Sequence, residues 1–225
     1  VHSLKDMEAA EHKSLSVGAY IKRNDPRDVF ISSKYKNLDE LKKESTVGSS
    51  SRRRRLQIKL INPNILISNI RGNIDTRLKK VEEGKLDAII LAAAGVKTLN
   101  LQSRIKHFFN VEEMLPAAGQ GVIAVQCRKS DKEIKNILQN INNKETMYCA
   151  ASEKEMLRVV GGDCDTAVGS FAVLENNLIK LKAQLFSDDG KKNFNFSITG
   201  DKDEYLQIGQ RVGKKILELA GAEFK

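Results

Sequence analysis

The sequence predicts an α/β protein with a smaller α+β part at its C-terminal end. From Ser45 to Ala94, short apolar runs alternate with helical patterns, which is the signature of βαβ units and a parallel sheet. Between Ser170 and Leu219, three strand-like runs are instead followed by one amphipathic helix. With 225 residues and 40% hydrophobic content, the chain is long enough for one large domain or two small ones, each with its own core.

In the first stretch Thr46 to Ser49 reads as a strand entering a helix over Arg52 to Leu60. Ile65 to Ile70 reads as a second strand and Asp87 to Ala93 as a buried third. Between the last two, Ile74, Leu78 and Val81 share a face at helical spacing, with Asn73 placed to cap the start and Gly84 to end the helix. Leu115 to Gly121 reads as a glycine-bearing turn, a structural hinge rather than a binding loop, feeding a buried strand from Val122 to Val125. Asp131 to Asn140 predicts a helix with Ile134, Ile137, Leu138 and Ile141 on one face, and Glu145 to Val160 a second helix after the polar Asn142-Asn143 break, where a domain boundary is placed. Past Gly161-Gly162, the runs Ser170 to Leu174, Leu178 to Leu185 and Phe194 to Ile198, separated by Glu175-Asn176-Asn177 and Asp188-Asp189-Gly190, predict a three-stranded antiparallel meander. The segment Asp203 to Leu219, with Leu206, Val212, Ile216 and Leu219 near helical spacing, should cover one face of it.

No apolar run approaches the about 18 to 20 residues of a membrane span, and the start lacks a secretory pattern, so a cytoplasmic location is the simplest expectation. The cysteines, Cys127, Cys149 and Cys164, are odd in number and widely spaced without a Cys-x-x-Cys pair, so neither a disulfide framework nor a metal site is expected. The net charge of +9 and pI near 9.4 say that anions are welcome, leaving nucleic acid, a membrane face and a polycarboxylate substrate open. The chain begins at Val1, inside what reads as the motif Val-His-Ser-Leu-Lys-Asp, and an upstream segment is expected to be absent.

Five clusters carry candidate chemistry. Gly48-Ser49-Ser50-Ser51 precedes Arg52, Arg53, Arg54 and Arg55 at a strand-to-helix junction, where unpaired N–H groups, hydroxyls and guanidiniums suit a carboxylate or phosphate. Four consecutive arginines alone are more simply a solvated basic face or a nucleic-acid patch, although no aromatic residue interleaves them and the chain has no Trp. Arg71-Gly72-Asn73 with Arg77 repeats the arrangement at the next strand end, where ligands of open α/β sheets gather; an exposed Arg77 paired with Glu82 or Glu83 is the bland alternative. Lys5-Asp6 could be an ordinary polar turn, or a carboxylate held ionised among cations that steadies a developing positive charge. The Leu115 to Gly121 hinge is the fourth cluster. In Gly161-Gly162-Asp163-Cys164-Asp165 a cysteine lies on a glycine-rich loop, a candidate nucleophile whose flanking aspartates would raise its thiol pKa, whereas Cys127 and Cys149 lie in strand and helix patterns.

Along nearly the whole chain these residues resemble the porphobilinogen deaminase (hydroxymethylbilane synthase) family, through His2-Ser3-Leu4-Lys5-Asp6, Asp25-Pro26-Arg27-Asp28, Val47 to Arg54, Arg71-Gly72-Asn73, Asp75-Thr76-Arg77, Asp87 to Gly95 and Leu115 to Gly121. The resemblance implies two lobed α/β domains of the periplasmic-binding-protein type facing a cleft, plus a small α+β domain. On this chain it maps the remainder of a first domain to residues 1–27 and 115–143, the second to 28–114 and the third to 144–225. It implies a transferase that adds four porphobilinogen units head to tail, with loss of ammonia, to a dipyrromethane cofactor attached through Cys164. Asp6 would be the catalytic residue, steadying an azafulvene-like cation. Lys5, Asp6, Ser51, Arg53 and Arg54 would bind the cofactor and Arg71 and Arg77 the substrate, since each pyrrole brings two carboxylates. The implied partners are porphobilinogen and the growing polypyrrole, with no nucleic acid, no membrane and a monomeric state.

The chain departs from the family pattern in having Asp163 directly before the cysteine, Thr98 where a basic residue is common, and nothing to match the family's first strand and helix. Without these last the chain alone is expected to be inactive. The rival from another class is a non-catalytic two-lobed module that holds a small anion and forms no covalent adduct.

Overall fold

A computed structural model describes residues 1–10, 12–162 and 166–224. Its contacts divide the chain into two units, Val1–Asn24 with Pro116–Lys225, and Asp25–Leu115. The first opens with β1 (His2–Ser3), a 3-10 turn over Leu4–Asp6 and β2 (Leu15–Tyr20).

The Asp25–Leu115 unit holds β3 (Asp28–Ile31), β4 (Thr46–Gly48), α1 (Arg52–Ile61), β5 (Leu66–Ser68), α2 (Ile74–Glu82), β6 (Ala88–Ala92), α3 (Ala93–Thr98) and β7 (His107–Phe108). They build a five-stranded sheet in the order β5-β4-β6-β3-β7. Strand β4 is parallel to β5 and β6, as the βαβ pattern predicts, but β3 runs antiparallel to both β6 and β7, so the sheet is mixed. Strand β3 escapes the sequence reading because all of its residues are buried and it shows no polar alternation. Val29 and Ile31 face a core shared with Leu78 and Val81 of α2 and Val96 of α3, whereas Phe30 faces the opposite core with Ile58 of α1. Both sheet faces are therefore covered, and the helices start where the strands end. The Asn73 side chain accepts from Thr76 N at the start of α2, and Gly84, at φ +70°, follows its end.

Returning to the first unit, the chain forms β8 (Ile123–Arg128), α4 (Lys132–Gln139), α5 (Lys144–Val160), β9 (Val168–Glu175), β10 (Leu178–Phe186), β11 (Asn193–Asp201) and α6 (Tyr205–Ala220). Strand β8 lies between β1 and β2, antiparallel to both, over a small core of Leu4, Val122, Ala124 and Ala150. Helix α4 meets this sheet through Leu138, which lies so close to Gly18 that a Cβ there would come within 2.5 Å of it. The expected four-residue apolar face is corrected: only Leu138 is buried, and Ile134, Ile137 and Ile141 are 41%, 55% and 51% exposed.

The meander forms as expected, with β10 between β9 and β11 and a two-residue turn in which Asn176 and Asn177 both take positive φ. Alternate residues of β10, Ile179, Leu181, Ala183 and Leu185, pack with Met156 and Val160 of α5 and Ile208, Val212 and Ile216 of α6. Helices α5 and α6 approach closely because Gly209 has no side chain to strike Ser152 O. Helix α5 serves both cores, Ala150 in one and Met156 in the other.

Candidate functional site

In the first unit the Leu4–Asp6 turn is held at both ends. Leu4 N donates to Val122 O at 2.9 Å, and the buried Leu4 side chain packs where a Cβ on Gly119 would fall, 2.7 Å from Leu4 Cγ. Gly119 also takes φ +75°, so only glycine suits the position. At the other end Lys154 Nζ, on α5, donates to Met7 O at 2.6 Å. The turn leaves Lys5 half-buried and Asp6 exposed. Both line a cavity of about 300 Å³ whose walls include Arg158, Gly161 and Gly162. Gly162 stands two positions before Cys164 in the sequence, and Cys164 itself lies outside the described residues. A second cavity of about 690 Å³ shares Asp6 and Arg158 and is floored by Leu4, Leu15 and Val17.

The remaining cysteines differ in character from a loop nucleophile. Burial, reinforced by the charge of Glu153 and opposed by Arg23, pushes the Cys149 thiol up to about 12. Cys127 is half-buried on β8. The Leu115 to Gly121 stretch, read as a hinge, is tied down by hydrogen bonds: Gly119 N donates to Glu153 Oε2 at 2.7 Å, and Ser170 N donates to Pro116 O at 2.8 Å.

In the Asp25–Leu115 unit the β4-to-α1 junction positions the basic cluster. Ser51 caps α1 by accepting from Arg54 N at 3.4 Å. Arg53 and Arg54 turn inward onto the fully buried Asp28: Arg53 Nη2 reaches Oδ2 at 2.8 Å, and Arg54 Nε and Nη2 reach Oδ1 at 3.0 and 2.7 Å. Burial by itself would raise the Asp28 carboxyl, but the charges of Arg53 and Arg54 outweigh it and hold the group well below the usual carboxylate range. Arg53 Nη1 also donates to Leu115 O at 2.6 Å. Ser49 Oγ and Arg53 Nε are buried without a hydrogen-bond partner among the described residues.

Arg71 is exposed just past β5. Arg77 does not pair with Glu82 or Glu83; its Nε donates to Gly72 O at 2.8 Å, while Glu82 takes Arg104, and Glu83 takes Lys79 and Lys85. Burial and then the charge of Arg54 lower the Arg77 guanidinium from its ordinary value, so the two cations are close enough to oppose one another. An added anion would relieve Arg77.

Sequence reasoning assigned no role to the carboxylates that organise these cations. Asp25 receives Arg27 Nε and Nη2 at 2.9 and 2.7 Å and Lys97 Nζ at 2.8 Å. Burial opposes ionisation there too, and the hydrogen bonds of Arg27 and Lys97 override it, holding Asp25 well below its ordinary value. Asp28 and Glu153 were missed because their partners are remote in sequence. The clustered acids and base of Asp25-Pro26-Arg27-Asp28 were the available signal.

Residues 1–136 match the family model described as porphobilinogen deaminase, dipyromethane cofactor binding domain, and residues 147–218 the one described as porphobilinogen deaminase, C-terminal domain. The chain belongs to the porphobilinogen deaminase family. Porphobilinogen deaminase of Coxiella burnetii (strain Dugway 5J108-111) is 40% identical over 221 residues, covering 98% of this chain and 71% of that protein. The porphobilinogen deaminase of Brevibacillus brevis (strain 47 / JCM 6285 / NBRC 100599) is 43% identical over 218 residues, covering 96% and 70%. Among solved structures, a YaeC-family lipoprotein of Enterococcus faecalis V583 aligns over 63% of this chain and 68% of its own at 17% identity and a TM-score of 0.40, too slight a likeness to carry an argument.

The donor set suits the cofactor named for this family's first domain. The exposed Arg71, and the half-buried Arg77 whose charge Arg54 opposes, are the cations that a group with several carboxylates could meet. Among the described residues no cluster of His, Cys, Asp or Glu could hold a metal ion, and no helix is long and apolar enough to cross a membrane.

Proposed function

We propose that the chain performs the reaction for which its relatives are named, as a transferase that joins four porphobilinogen units head to tail, with loss of ammonia, to give hydroxymethylbilane. The observation that carries this reading is the shared cavity that places Asp6 and Lys5 beside Gly161-Gly162, the residues leading to Cys164. When attached through Cys164, a dipyrromethane group would supply the anchored pyrrole chain end that accepts each unit.

The chain's own residues then bind, orient and move protons. The Asp6 carboxylate, exposed on its clamped turn, steadies positive charge that develops on the substrate and exchanges a proton at its oxygen. Lys5, Ser51, Arg53 and Arg54 hold carboxylates of the cofactor, Ser51 donating the hydroxyl hydrogen that its capping role leaves available. Arg71 and Arg77 hold carboxylates of the incoming substrate. The same reading divides the first unit into the remainder of one domain, residues 1–27 and 115–143, and a cofactor-cysteine domain, 144–225, with residues 28–114 between them in sequence. The separate sheets and cores support that division. A cytoplasmic monomer that binds neither nucleic acid nor membrane completes it.

Intact mass and peptide mapping of the purified full-length protein after exposure to porphobilinogen test the proposal. A mass gain confined to the Cys164 peptide and absent from Cys164→Ser is expected. An adduct on Cys127 or Cys149, or full turnover by Cys164→Ser, would overturn the assignment, and no adduct under any condition would favour the anion-binding module.

A further inference from the structure

Helix α5 reaches the Asp6 turn with two consecutive residues. Glu153 accepts from Gly119 N at 2.7 Å, fixing the glycine against which Leu4 packs, and Lys154 Nζ donates to Met7 O at 2.6 Å. One residue braces the entry to the turn and the next fixes its exit. Lys154 is only 9% exposed, an unusual setting for an ammonium, and its hydrogen bond spans 147 positions of sequence. The same helix ends at Gly161, whose φ of 71° closes it and starts the loop toward Cys164. From position 154 to position 161 the helix runs two turns, about 10 Å. A single helix thus sets both the exit of the Asp6 turn and the Gly161-Gly162 pair, and both border the cavity of about 300 Å³.

From this geometry we infer that Lys154 is a positioning residue, holding the Met7 carbonyl so that the Asp6 turn keeps its place beside Gly161 and Gly162 in the shared cavity. The inference rests on the proposed function and adds to it a residue that acts through the Met7 carbonyl. Misplacing a reacting group by about 1 Å costs on the order of a hundredfold in rate. Leu4 O accepts from Met7 N at 3.2 Å, so the residue whose carbonyl Lys154 holds also closes the turn through its amide.

The test compares Lys154→Met, which keeps the stem and removes the donor, with Lys154→Arg, which keeps a donor, each also in an Asp6→Asn background. Turnover of porphobilinogen, adduct mass and hydrogen exchange of the Lys5 to Met7 amides are read in the whole chain. Lys154→Met should lose roughly tenfold or more in kcat with KM within about twofold, and should exchange faster at Lys5 to Met7 while the meander stays protected. Lys154→Arg should recover most of kcat. In the Asp6→Asn background Lys154→Met should cost nothing further, since its effect passes through Asp6. Wild-type kcat in Lys154→Met, a loss not relieved by Lys154→Arg, or additive losses with Asp6→Asn would each overturn the inference while leaving the proposed function standing. A full-length wild-type protein that neither gains an adduct nor turns over porphobilinogen would overturn the proposed function and this inference together.

Discussion

Glu153 receives both terminal nitrogens of Arg23, Nη1 on Oε1 and Nη2 on Oε2, each at 2.8 Å, with the carboxylate side chain wholly buried. The same two oxygens accept from Gly119 N and Ala172 N, so one carboxylate ties β2's exit, the glycine turn and β9 to α5. Every lone-pair direction has a donor, which is the condition for a buried charge to be tolerated.

Glu153→Gln leaves Arg23 largely buried without its counter-charge, and such a loss typically costs about 3 to 5 kcal/mol. Urea unfolding should show it. The control is Arg158→Gln, which breaks a bidentate pair with Glu155 on a half-exposed side chain, where the loss should be about 1 kcal/mol or less. Equal shifts in the two variants would mean that Glu153 is not the tie described.

Asp28 gives the pH dependence. Its carboxyl is held well below its ordinary value in the folded chain and would titrate near about 3.9 when unfolded. Between those values the unfolded chain binds a proton that the folded chain does not. The stabilisation is therefore present above the unfolded value and is lost as pH falls toward the folded one. The urea midpoint should hold from about pH 6 to about pH 5 and fall progressively below about pH 4, and Asp28→Asn should be less stable at about pH 6 with a shallower fall below about pH 4. Parallel drops would assign the acid sensitivity elsewhere.

Cys149, pushed up to about 12 and 5% exposed, should resist alkylation by iodoacetamide in the folded chain at about pH 8 and react only in denaturant. Peptide mapping before and after denaturation reads this directly. Rapid native labelling of Cys149 would contradict its burial.

Period and capping made much of this architecture legible. Asn73, Gly84, the β4-α1-β5 run and the asparagine turn between β9 and β10 behave as their local chemistry dictates. Strand β3 was not legible, because Val29, Phe30 and Ile31 are all buried, on alternate faces of a sheet covered on both sides, and leave no period in the sequence. Helix α4 misled for the converse reason: its isoleucines have helical spacing, but spacing does not state whether a partner lies beneath. The basic run Arg52 to Arg55 announced cations without revealing that Asp28, remote in sequence, faces two of them.

Gly209 and Gly84 separate packing from backbone strain. A Cβ at Gly209 would strike Ser152 O of α5, so Gly209→Ala must push α5 and α6 apart, at a cost of about 3 kcal/mol. A Cβ at Gly84 meets nothing within 4 Å, yet φ +70° makes Gly84→Ala cost roughly 1 to 2 kcal/mol. Thermal unfolding should rank them in that order, and the reverse order would mean that the two helices have slack.

The arginines should divide by what they face. Arg53→Leu removes a partner of the fully buried Asp28, so it should lower the urea midpoint whatever it does to turnover. Arg71 and Arg77 touch no acidic side chain in the ion pairs formed by the described residues, and Arg77 is opposed by Arg54. Leucine at either should leave stability nearly unchanged while weakening the hold on a carboxylated substrate by about 1.5 to 3 kcal/mol, tenfold or more in kcat/KM. If Arg71→Leu and Arg77→Leu unfold the chain as readily as Arg53→Leu does, these two arginines belong to the scaffold and the substrate carboxylates must be held elsewhere.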